Sequence, residues 1–125
     1  MKIEDNFLDQ KVFDELQTFM MGGAFVWCYS DIIDYKEDKD KFQFTHTFYN
    51  NNVPTSSEIK KLNPLLEKIK PLLTYRIKAN LLTKTPNIIE NKFHIDINYF
   101  VNFPEKIKQW TTSIFYMNTN NGYTK

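Results

Sequence analysis

With 125 residues, the chain has the length of one domain and can bury a single core. Apolar residues at 42% and aromatics at 16% exclude a disordered chain, and a net charge of +1 disfavours a broad nucleic-acid-binding face. No apolar stretch is long enough to span a bilayer, so neither a nucleic-acid partner nor a membrane is expected.

The first residues carry no apolar segment of the secretory type. Asp5-Asn6-Phe7-Leu8 leads into a helix, with Asp9 as N-cap and Met21 near its end. Val12, Phe13, Leu16, Phe19 and Met20 fall on one helical face, and Gly22-Gly23 stops the helix. Two strands follow, over 25–29 and 41–49, separated by the charged turn Asp34 to Asp40.

The lone Cys28 lies in the first of these strands and reads as a buried structural thiol. Without a second cysteine there is no internal disulfide, which points to a reducing, cytoplasmic compartment. In the second strand Phe42, Phe44, His46 and Phe48 share a face. His46 has two readings there. It is a core histidine satisfied by a backbone or hydroxyl partner, or it stands at the mouth of a pocket and contacts substrate.

Thr55-Ser56-Ser57-Glu58 is a capping-box pattern, with Thr55 as the cap. Ile59, Leu62, Leu66, Ile69 and Leu73 then form an apolar stripe for packing on the sheet. Pro64 should bend or restart this helix and Pro71 should end it. Lys60-Lys61 reads as solvated surface. The next strand, 75–83, alternates Tyr75, Ile77, Ala79 and Leu81 with Arg76, Lys78 and Asn80. A loop around Pro86 leads to a strand at 93–97, and a loop over 98–109 contains Pro104.

Phe93-His94-Ile95-Asp96-Ile97 carries the most informative chemistry. Strand residues two apart project from one face, so His94 and Asp96 present an imidazole beside a carboxylate. Those are two of the three ligands of the facial triad that holds non-haem Fe(II).

The run after the pair, Thr112-Ser113-Ile114-Phe115-Tyr116-Met117-Asn118 and then Gly122-Tyr123-Thr124, resembles the strand-turn-strand of prolyl-4-hydroxylase-like 2-oxoglutarate/Fe(II) dioxygenases. Met117 stands where that family has Leu, and the turn has one glycine. The polar turn is most similar to that of small oxygenases encoded by marine bacteriophages. The specific motif covers Arg76 to Lys125.

The resemblance implies an α+β chain built as a double-stranded β-helix (jelly-roll or cupin-like), with N-terminal helices packed on the sheet and 1–125 forming one incomplete oxygenase-like domain. It implies Fe(II) on His94 and Asp96, with 2-oxoglutarate as cosubstrate. Tyr116 would hydrogen-bond the distal carboxylate of 2-oxoglutarate, Ile114 would wall its methylenes, and Thr112 and Asn80 would line the same site. The family's distal histidine and the base that pairs with 2-oxoglutarate come from later strands. The chain stops at Lys125, so it is read as C-terminally incomplete, with activity impaired or lost. Missing strands would expose sheet edges and favour a homo-oligomer. The expected reaction is hydroxylation of an unactivated C–H bond with release of succinate and CO2. The substrate would be a protein side chain or a small molecule, in the host cytosol if the chain is viral. The alternative is a non-enzymatic jelly-roll module of viral origin, with an interaction or structural role.

Overall fold

The computed structural model describes residues 2–33, 41–90 and 104–120. The chain divides into two compact units, Met1–Thr83 and Lys84–Lys125. It is an α+β protein with a four-stranded antiparallel sheet and short helices. No helix of the described residues is long and apolar enough to cross a membrane.

In the first unit, helix α1 spans Gln10–Met21 and buries Leu16 and Met20, with Val12, Phe13 and Phe19 half-buried along the expected face. Asp9 occupies the N-cap position, but its side chain makes no capping hydrogen bond. Its carbonyl instead accepts from Phe13 N–H at 2.9 Å. Gly22 ends the helix in an extended conformation. A Cβ there would stand 2.9 Å from the Thr18 carbonyl oxygen, so glycine is required by a close backbone approach, not by a left-handed turn.

Strand β1 is shorter than expected, Cys28–Ser30. Strand β2, Gln43–Asn50, is the centre of the sheet. It pairs with β1, with β3 (Val53–Pro54) and with β4 (Arg76–Leu81), always antiparallel. A strand has two hydrogen-bonding edges. With β4 along one of them, β1 and β3 take the two ends of the other. Asn51 and Asn52 both have positive φ (49° and 65°), the backbone of a two-residue hairpin turn, which asparagine tolerates well.

The register shifts between Thr47 and Tyr49, leaving Phe48 as the extra residue of a bulge against β4. Phe48 is 1% exposed, the most deeply buried large side chain among the described residues. Its carbonyl is not orphaned: Thr55 N–H and Ser56 N–H donate to it at 2.9 and 3.3 Å. Phe25 is the neighbouring hub, with ring centroids 5.3 Å from Phe19, 4.8 Å from Trp27 and 5.9 Å from Phe48.

Cys28 is exposed, contrary to the buried thiol expected. The physical reason is phase. Phe25 and Trp27 alternate toward the aromatic core, so Cys28 falls on the other face, opposite Thr45. Gln43 is instead the buried polar residue, its amide nitrogen donating to the carbonyls of Ile32 and Ile33 at 3.3 and 3.2 Å.

After the hairpin, a 3-10 helix spans Ser57–Leu62 and α2 spans Asn63–Ile69. Pro64 sits in the first turn of α2, so it restarts the helix as expected. The cap is Ser56 and not Thr55. Ser56 Oγ accepts from Glu58 N–H at 3.2 Å, while Thr55 Oγ1 donates to the Thr47 carbonyl at 2.8 Å. Three consecutive hydroxyl residues made the cap ambiguous in sequence. Lys70 closes α2 in the left-handed conformation (φ 50°), just before Pro71. The expected stripe therefore breaks. Leu62 is buried and Ile59 and Leu66 are half-buried, but Leu73 lies beyond the reversal and is 92% exposed.

In the second unit, the described residues form one helical turn, α3 (Pro104–Ile107), where a loop was expected. Trp110 N–H donates to the Ile107 carbonyl at 3.0 Å and prolongs the turn, and Lys108 pairs with Glu105 at the surface. Residues 111–118 were expected as a strand, yet they join no ladder among the described residues. Exposure alternates over 114–118 only, where Phe115 and Met117 are half-buried between exposed Ile114, Tyr116 and Asn118, while Thr112 and Ser113 are both exposed.

Candidate functional site

His94 and Asp96, the expected strand 93–97 and the turn Gly122-Tyr123-Thr124 lie outside the described residues, as does the turn at 34–40. Of the other candidate positions, His46 and Asn80 belong to the first unit, and Thr112, Ile114 and Tyr116 to the second.

His46 is held at the middle of β2 on the aromatic face. Its ring centroid lies 4.5 Å from those of both Phe25 and Phe48. Nδ1 is 2.7 Å from the Val26 carbonyl oxygen and Nε2 is 2.9 Å from Ser56 Oγ. A carbonyl can only accept, so Nδ1 carries the proton, and in the neutral ring Nε2 accepts from the Ser56 hydroxyl. Ser56 Oγ in turn accepts from Glu58 N–H. Each donor in this chain meets an acceptor. One imidazole thus ties together the approach to β1, the central strand and the cap of the 3-10 helix. This is the core-histidine reading of His46, with one backbone and one hydroxyl partner.

The same contacts resemble a nucleophile, a base and an orienting carbonyl. Ser56 Oγ is, however, already engaged as the acceptor of the helix cap. Two open hollows in the first unit are lined by other residues, one by Gln10, Asp14 and Phe19 and one by Tyr49, Ile59 and Leu66.

Asn80 stands opposite Thr45, and Ala79 opposite His46. Directly opposed residues share a face and neighbours alternate. Asn80 is thus exposed on the Thr45 face, while His46 points to the other; the sheet does not bring these two candidates together. In the second unit, Thr112, Ile114 and Tyr116 are all exposed.

Among the described residues, no group of three His, Cys, Asp or Glu side chains is placed to hold a metal. An open hollow of about 280 Å³ lies in the first unit, bounded by Tyr49, Ile59, Leu66 and Ile77, with Leu72 and Leu73 on its rim. Its lining is largely apolar and offers no ligand set.

A charge perturbation is resolved near the N-terminus. The hydrogen bond from Lys2 to Glu4 (2.9 Å), reinforced by charge attraction, lowers the Glu4 carboxyl and raises the Lys2 ammonium from their ordinary values. Both groups are solvent-exposed, so screening leaves the pair little weight.

The residues that sequence reasoning missed are Ser56 and Val26 as partners of His46, and buried Gln43. Val26 contributes only a backbone carbonyl, which no side-chain pattern announces. Comparison with family models, curated proteins and solved structures yields no match.

Proposed function

We propose that this chain is a 2-oxoglutarate/Fe(II)-dependent dioxygenase of the prolyl-4-hydroxylase-like class, with a double-stranded β-helix as its architecture. The observation that carries this reading is His94-Ile95-Asp96 followed by Thr112 to Asn118 and Gly122-Tyr123-Thr124. The α+β organisation supports it, since an N-terminal helix and an antiparallel sheet precede the pair in the chain.

The donor set fits the metal in kind. Imidazole nitrogen and carboxylate oxygen are the donors of the facial triad, and His94 and Asp96 would provide one of each. His46 does not complete the set, because both its ring nitrogens are engaged by Val26 and Ser56. The third ligand is therefore a group other than His46. Bound Fe(II) would supply oxygen chemistry, coupling decarboxylation of 2-oxoglutarate to C–H hydroxylation.

The chain's own residues bind and orient. The Tyr116 hydroxyl would donate to the distal carboxylate of 2-oxoglutarate, Ile114 would pack on its methylenes, and Thr112 would offer a polar contact at the margin. An Fe(II) held by fewer than three protein ligands binds weakly, since affinity follows ligand count and support.

Succinate release from 2-oxoglutarate in the presence of Fe(II) and oxygen tests the reading. It is expected at a slow rate in the wild-type chain and at background in His94→Ala and Asp96→Ala variants of unchanged circular dichroism. Equal rates in all three would overturn the assignment.

A further inference from the structure

We draw no further inference here: the strongest candidate, the apolar hollow beside α2 bounded by Tyr49, Ile59, Leu66 and Ile77 with Leu72 and Leu73 exposed on its rim, has nothing in the structure to show what covers it.

Discussion

The described residues of the two units differ in their organisation. In Met1–Thr83, the central strand β2 is paired along both edges, and its bulged residue Phe48 has its carbonyl satisfied by Thr55 and Ser56. Side chains there reinforce the ladder: His46 links three segments and Gln43 holds two carbonyls. In Lys84–Lys125, the described residues offer one helical turn and a run in which Phe115 and Met117 are half-buried. The chemical motif lies in this second unit.

The sharpest way to break this comparison is to delete one aromatic side chain from each unit. Phe48→Ala should cost about 3–5 kcal/mol, as expected for a fully buried phenylalanine. Phe115→Ala, from a half-buried position, should cost less than half as much. Urea unfolding followed by circular dichroism reads both, and equal losses would contradict the contrast.

His46→Ala comes next. It leaves the Val26 carbonyl and the Ser56 hydroxyl without their partner, and about 1–3 kcal/mol should be lost. Faster amide exchange at Glu58 should accompany it, because Ser56 would no longer be held as the cap; unchanged exchange would mean that the cap does not depend on the imidazole. Gly22→Ala belongs to the same range, about 1–3 kcal/mol, because its Cβ would press on the Thr18 carbonyl. Full stability in that variant would show that α1 ends differently.

The smallest effect concerns Lys2 and Glu4. The folded-state carboxyl of Glu4 is lowered, so its stabilisation is present above the unfolded value and fades as pH falls through the lowered one. Exposure makes it slight. Lys2→Ala should leave the acid-unfolding midpoint nearly unchanged, and a clear shift would show that the N-terminal segment carries more than a surface pair.

Much of the first unit was readable because its signals are local. The α1 stripe, the restart at Pro64, the stop at Pro71 and the alternation of β4 all depend on residues a few positions apart. Errors arose where the deciding partner is distant or lacks a side-chain signature. Cys28 was misplaced because Phe25 and Trp27, not the strand's average hydropathy, set the phase. Ser56 was passed over for Thr55 because the choice depends on where the hairpin carbonyls of Thr47 and Phe48 lie. The strand at 93–97, expected beside the 112–118 run, lies outside the described residues. The pair His94 and Asp96 remains a reading of residue type and spacing, and its strength is chemical.

The decisive measurement is therefore spectroscopic. The purified chain is titrated anaerobically with Fe(II) and 2-oxoglutarate, and the visible charge-transfer band of a keto acid chelated to protein-bound Fe(II) is recorded. A saturable band in the wild type, lost in both His94→Ala and Asp96→Ala, is the predicted result. A band of equal intensity in wild type and both variants, or no band at saturating Fe(II), would contradict the assignment of His94 and Asp96 as an iron site.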